Sequence, residues 1–483
     1  MHRDLDGLTA RTFDVLVVGG GIYGLTIAYD SAQRGLSVAL IERHDFGSGA
    51  SFNHLRTIHG GLRYLQTLDL SRARESVNER RTIARIAPDA VRPLPFFLPL
   101  PRSLTRGAMA MRAGFFLDRV VSRHRNDDIP PSHLLPTGKV VREAGYYRQP
   151  TPRSRAATWY DYVTTDADRL TLSWGIAAAN HGAVLANYLE ATELIVEGGR
   201  AIGVRTADRL SGRKMEISAR LTINAAGGAV DRLLGASGLK AGVPMLKAMN
   251  LVTTRKAPDL AVGGRGPSGR TLFMVPWKER ALFGTWESPR PCAPDDTSID
   301  AHEVQAFIDE INYAFPSVTL TAQDVTLVHR GVVPAVVRAD GRAVLEGHEQ
   351  VRDHADRGVE GLITVAGTKY TTARAVAERM TNRILSKLGR GPVPCRTAET
   401  PLPFSHGDTD ALLAQAARDE MVMTLEDAVV RRTPLGALGH PGQNILDHAA
   451  AIVGDTLGWD GPRRRAEVDA VERFYGTLNA WKM

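Results

Sequence analysis

Cysteine is scarce: Cys292 and Cys395 are the only two in 483 residues. They form no metal or redox spacing and cannot staple a chain of this size, so a reducing compartment is expected. No metal site is expected either. Aromatic residues make up only 6% of the chain. With no base-stacking motif or zinc spacing, no nucleic-acid partner is expected. Nowhere does a run of about 18 uncharged apolar residues occur that could span a bilayer. The opening MHRDLDGLTARTFDVLVVGGG also lacks the charged, apolar and small-residue succession of a secretory signal, because its first apolar run leads into a glycine turn. The protein is therefore expected to stay in the cytoplasm.

What is present describes a folded chain of two or three units, with 43% hydrophobic and 23% charged residues. The formal net charge of +7 invites an anionic partner. Much of it lies in residues 101–125, where Arg102, Arg106, Arg112, Arg119, Arg123 and Arg125 interleave with Met109, Met111, Phe115 and Phe116. Two readings stay open for this stretch. It is an amphipathic element on an anionic membrane surface, on the inner face of the cell membrane, or an internal helix with solvated arginines.

The N-terminal pattern is more specific. Residues 13–18, FDVLVV, read as a buried parallel strand. GGGIYG follows, then a stretch with helical apolar spacing that ends at Gly35, and a second strand, Leu36 to Ile41, that closes with Glu42. Gly19, Gly21 and Gly24 thus match G-x-G-x-x-G between a strand and a helix. Gly19 makes the tight turn, Gly21 lets a pyrophosphate approach the backbone, and Gly24 lets helix and sheet pack closely. The phosphates would sit at the helix N-terminus, and Glu42 would accept a ribose hydroxyl. NAD and FAD both fit such a unit.

Later segments repeat the theme. Residues 219–234 place a buried strand before Ala-Ala-Gly-Gly and a helix, and residues 361–380 read as strand, small-residue turn and helix. The implied sheet is therefore assembled from pieces distant in sequence. Residues 241–345 carry turns and alternating strands, which suits an antiparallel sheet roofing a ligand. The stretch HGGLRYL, residues 59–65, puts His59, two glycines, Arg63 and Tyr64 side by side. Its plain reading is a turn with a packed histidine and a surface arginine. Its chemical reading is a proton acceptor and an anion grip around bare backbone.

These stretches together resemble the FAD-dependent glycerol-3-phosphate dehydrogenase family over nearly the whole chain. The resemblance rests on GGGIYG, SGAS at 48–51, TIHGGLRYLQ at 57–66, a helix expected over 75–100, DADRL at 166–170, INAAG at 223–227, VPWKERALFGTWE at 275–287, RDH at 352–354, GLITVAGTKYTTAR at 361–374, CRTAETPLP at 395–403 and TLEDAVVRRTPLG at 424–436. It implies an α/β fold with a Rossmann-like FAD-binding domain from residues 1–90, 155–240 and 346–394. An antiparallel-sheet substrate domain would come from 91–154 and 241–345, and a small helical C-terminal domain from 395–483. It also implies oxidation of sn-glycerol 3-phosphate to dihydroxyacetone phosphate, with quinone as electron acceptor and peripheral membrane attachment.

By the same resemblance, FAD would be held by Gly19, Gly21, Gly24, Glu42, Ser48, Ser51, Ala226, Gly227, Gly367 and Thr368. His59 would be the base, Arg63, Tyr64, Arg352 and Lys369 would hold the substrate, and Arg63 and Lys369 would also act at the reacting centre. Several positions depart from the family pattern: Arg56 stands one place away from the usual lysine, and Gly367-Thr368-Lys369 replaces G-G-K. Val333, in HRGVVPAV, stands where an arginine is usual, and Asn250 stands for a histidine. Val333 and Asn250 leave room for another polyol phosphate or hydroxylated substrate, and the basic charge alone leaves room for a non-catalytic flavoprotein that binds membrane or RNA. The C-terminal domain is also shorter than is usual in the family.

Overall fold

The computed structural model describes residues 1–61, 69–100, 107–121, 129–135 and 155–482. Among the described residues, its first sheet has eight strands. Phe13–Val18 lies at the centre, parallel to Val38–Ile41 on one side and to Lys214–Asn224 on the other. Val184–Ala186 and Leu362–Ala366 extend the parallel set outward, and Gln350–Asp353 closes one edge in the antiparallel sense. All six residues of Phe13–Val18 are buried, as expected for a parallel strand covered on both faces. The hairpin Leu189–Glu197 and Arg200–Asp208 pairs onto the Lys214 end. The sheet is discontinuous in sequence, as expected.

The second sheet has ten strands among the described residues and a mostly antiparallel order. Met245–Thr253 pairs with Arg280–Glu287 and with Val325–Val337. Two expectations change here. The helix expected over residues 75–100 ends at Ile86, and Val91–Leu100 is a strand. Pro88, Pro93, Pro95 and Pro99 supply no N–H donors, so a helix could not continue through them. Residues 155–164 pair in this sheet instead of the first, because Arg155–Thr164 lies antiparallel to Val91–Leu100 along its full length.

That strand also pairs with Thr57–Ile58, in the register Thr57 to Val163 and Ile58 to Tyr162. The next step of this register sets His59 opposite Asp161. The C-terminal helices Thr409–Asp419, Gln443–Leu457 and Gly461–Asn479 pack through Leu413, Leu446 and Val471 onto a core shared with Phe96, Trp159 and Trp277 of the second sheet. Between the first two of these helices, Asp427–Arg432 forms a wide π-helical turn. Among the described residues, no helix is long and apolar enough to cross a membrane. Helix Ala108–Val121 buries Met111 and Phe115 while leaving Met109 72% and Phe116 68% exposed.

Candidate active site

A cavity of about 410 Å³ runs from the glycine turn to the junction of the two sheets. At one end the backbone does the work. Gly19 has φ +111, and a Cβ there would lie 2.6 Å from the Ala225 carbonyl oxygen. A Cβ on Gly24 would lie 1.8 Å from the Gly19 carbonyl oxygen, which explains the helix–strand contact that the motif requires. No side chain of the capping residue Gly21 closes the N-terminus of Ile22–Gln33; instead the Ile22 N–H donates to Ser51 Oγ at 2.9 Å. Glu42 accepts from the Gly20 N–H at 2.7 Å and from the His44 N–H at 2.8 Å, and its carboxylate faces the cavity.

Gly19, Gly21, Glu42, Ser48, Ser51, Ala226, Gly227, Gly367 and Thr368 all line this one cavity. Gly24 is buried behind it and acts through packing. A Cβ on Gly367 would fall 2.2 Å from the Tyr23 hydroxyl, so that approach too needs glycine. Bare backbone at a helix N-terminus, an acid on the following strand and a glycine turn brought in from residue 367 together fit the pyrophosphate, ribose and ring of FAD.

At the other end stands His59. Its Nδ1 lies 3.1 Å from Asp161 Oδ2, and its Nε2 lies 2.8 Å from Thr57 Oγ1. The Gly60 N–H at 2.7 Å, Arg80 Nη1 at 2.6 Å and Trp159 Nε1 at 3.2 Å also donate to Asp161. Burial pulls the Asp161 pKa upward, but the His59 hydrogen bond and the Arg80 charge outweigh it and hold the carboxyl below its ordinary value. An ionised Asp161 can only accept, so His59 carries its proton on Nδ1 and presents the Nε2 lone pair. Phe96 packs edge-on at 5.8 Å and fixes the ring's tilt. Gly60 must be glycine because a Cβ would meet Arg80 Nη1 at 2.2 Å.

Lys369 lines the same cavity, with Nζ 3.0 Å from Ser76 Oγ of helix Leu70–Ile86. The His59 N–H donates to Thr371 Oγ1 at 3.2 Å, which ties the two segments together. Arg352 is not brought in: it is exposed on the edge strand Gln350–Asp353, where Nη2 donates to Gln350 Oε1 at 2.9 Å. An edge strand leaves this side chain to solvent. Val333 does line the cavity, whereas Arg330, an odd number of residues away, is not among its lining residues and donates from Nε to the carbonyl of Thr297 at the cavity's edge, at 2.6 Å. Asn250 also faces the cavity and accepts from Thr285 Oγ1 at 2.9 Å. Arg63 and Tyr64 lie outside the described residues, as do Arg102, Arg106, Arg123, Arg125 and the Arg119 side chain.

Sequence reasoning missed Asp161 and Arg80. Only the pairing of Thr57–Ile58 with Arg155–Thr164, across about a hundred residues, reveals the carboxylate behind the histidine. DADRL was visible at 166–170, but nothing local marked Asp161.

Comparison with known proteins gives the family and the fold. A family model described as FAD dependent oxidoreductase matches residues 14–383, and one described as the C-terminal domain of alpha-glycerophosphate oxidase matches residues 358–464. The glycerol-3-phosphate dehydrogenase of Synechocystis sp. is 30% identical over 419 residues, covering 83% of this chain and 75% of the relative. The aerobic glycerol-3-phosphate dehydrogenase of Bacillus subtilis is 29% identical, covering 84% and 73%. In fold, the chain is similar to the glycerol-3-phosphate dehydrogenase of Bacillus halodurans complexed with FAD, with TM-score 0.74 and 22% identity over 98% of this chain and 97% of that one. A glycine oxidase from Geobacillus kaustophilus shares the fold at TM-score 0.55 and 20% identity, over 82% of this chain and 100% of that one. The glycine cradle, the two matched models and these relatives converge: the chain belongs to the FAD-dependent glycerol-3-phosphate dehydrogenase family, and FAD is its cofactor.

Proposed function

We propose that this chain oxidises sn-glycerol 3-phosphate to dihydroxyacetone phosphate and that its electrons pass to quinone. The observation that carries the reading is His59, set in the wall of the same cavity as the FAD cradle and backed by the buried Asp161. Bound FAD supplies the hydride acceptor. His59 Nε2 takes the proton of the substrate's secondary hydroxyl, displacing its contact with Thr57 Oγ1. Asp161 stays ionised, keeps the imidazole in the required tautomer and stabilises the imidazolium that forms. Lys369 offers a cation to the anionic substrate, and Arg63 with Tyr64 is proposed to grip its phosphate.

The exposed Met109 and Phe116, among the arginines of 101–125, support peripheral attachment to the anionic inner face of the cell membrane, where quinone is accessible. A second reading, another polyol phosphate as substrate, is favoured by one observation: Val333 gives the cavity wall an apolar side chain, and Arg330 does not replace the missing charge there.

The test is anaerobic mixing of the holoprotein with glycerol 3-phosphate and a panel of longer polyol phosphates. Glycerol 3-phosphate should bleach the flavin absorbance, and a soluble quinone analogue should restore it. If millimolar glycerol 3-phosphate leaves the flavin oxidised, the substrate assignment is wrong. Bleaching by a longer polyol phosphate instead would establish the second reading.

A further inference from the structure

The motif TLEDAVVRRTPLG lies far from the cavity in sequence, and the reaction chemistry does not use it. Its two adjacent arginines nevertheless end at a single carboxylate in the cofactor unit. Asp45 is fully buried three residues after Glu42. Arg432 holds it with a fork, Nη1 to Oδ2 at 2.6 Å and Nη2 to Oδ1 at 2.8 Å. Arg431 Nε donates to Oδ2 at 2.6 Å, and Asn187 Nδ2 donates to Oδ1 at 3.0 Å. Burial pulls the Asp45 pKa upward, yet the two guanidiniums more than offset it and keep the carboxyl well below the usual range. Arg431 also reaches Asp427 at 2.9 Å and Glu426 at 3.0 Å, so the buried charges are paired.

Asp45 does not line the cavity, but its neighbours do: Glu42, Gly47, Ser48 and Ser51. The Gly47 N–H donates to the Gly20 carbonyl at 2.9 Å, and the Ser48 N–H to the Asp45 carbonyl at 3.2 Å. A second strut runs from the same turn, since the Tyr188 hydroxyl donates to Asp427 at 2.6 Å while the Tyr188 N–H donates to the His44 carbonyl at 2.9 Å. Residues 42–51 are a connection with little regular hydrogen bonding of their own. Their shape therefore depends on what grips them.

We propose that Arg431 and Arg432 are positioning residues for the cofactor: by fixing Asp45 they hold residues 42–51 in the FAD-binding shape, so that cofactor binding and docking of the C-terminal helical unit are thermodynamically coupled. The inference does not depend on the substrate and survives if that assignment fails. Coupling of this kind is reciprocal.

The test compares FAD dissociation constants, measured by flavin fluorescence on reconstitution of the apoprotein, with melting temperatures. Asp45→Asn should weaken FAD binding by roughly 10- to 100-fold, the scale of lost charge-assisted hydrogen bonds. Arg432→Lys keeps the charge but loses the fork, and should fall between the two. Glu79→Gln is the control: it breaks a buried pair away from that junction, with Arg374 Nη2 at 2.6 Å, and Glu79 bonds neither residues 42–51 nor residues 427–432. It should lower the melting temperature and leave FAD affinity within about twofold. In the unaltered protein, which needs no variant to fold, FAD binding should raise the hydrogen-exchange protection of amides 427–432. Unchanged affinity in Asp45→Asn, an equal loss in Glu79→Gln, or unchanged protection of 427–432 would each overturn the proposal.

Discussion

Two buried aspartates seven residues apart, Asp161 and Asp168, both face an arginine and come out with opposite charge preferences. Asp161 receives four directed donors, from Gly60, Arg80, His59 and Trp159, and its carboxyl titrates below the usual value. Asp168 has Arg56 Nη1 at 3.4 Å, and burial pushes its pKa up to about 7 despite that charge. Arg56 itself is sandwiched by Phe52 at 5.2 Å and Trp277 at 4.9 Å, and its Nε and Nη1 find no hydrogen-bond partner among the described residues. Proximity of opposite charge is common to both aspartates. The number of aligned donors is what differs, and it decides which one remains ionised when water is removed. The protein thus keeps a permanent anion behind its histidine, and a second carboxyl nearby that changes charge near neutrality.

The sharpest way to break this comparison is at the histidine. His59→Ala should slow flavin reduction by roughly 10²- to 10⁴-fold in anaerobic stopped-flow while FAD stays bound. A rate within a few-fold of the unaltered enzyme would remove His59 from the role of base. Asp161→Asn should cost up to about 10⁴-fold in the same measurement, because the amide no longer enforces the Nδ1–H tautomer. The variant should also lose stability on the order of 3–5 kcal/mol by urea denaturation, since Arg80 is left buried without its counter-charge.

The third effect is on stability alone. The folded pKa of Asp168 is raised above the unfolded carboxylate value, so the folded state binds more protons than the unfolded chain between about pH 4 and pH 7. Stability from this group is therefore fully present below about pH 4, declines as pH rises through that window and levels off above about pH 7. Denaturation midpoints measured across that range should show the decline in the unaltered protein, and Asp168→Asn should flatten it whatever its absolute stability. An unchanged slope in the variant would mean that Asp168 is not the group responsible.

Much of the cofactor end was legible because it is made of consecutive residues. Gly19, Gly21, Gly24 and Glu42 follow one another along a strand, a turn, a helix and a strand, and their roles come from backbone geometry that the local residue types dictate. His59 was legible as a chemical group beside glycines. Its partner was not, because Asp161 arrives through a strand pairing between segments about a hundred residues apart. Arg352 illustrates the converse: its type suited an anion, but an edge strand turned it to solvent. The 75–100 helix failed at Pro88, where helical spacing before the proline said nothing about the residues after it. Arg431 and Arg432 stood out only as part of a motif, since nothing local linked them to Asp45.

From the sequence alone came the nucleotide-binding turn and the discontinuous sheet, because these depend on short-range periodicity and on glycine's conformational freedom, while FAD and His59 as base came through the family resemblance. Tertiary structure decided which carboxylate is ionised, which nitrogen of His59 is free, which arginines face the cavity and what holds residues 42–51 in place. Those properties depend on burial and on donors converging from distant segments, and neither exists until the two sheets and the C-terminal helices have packed together.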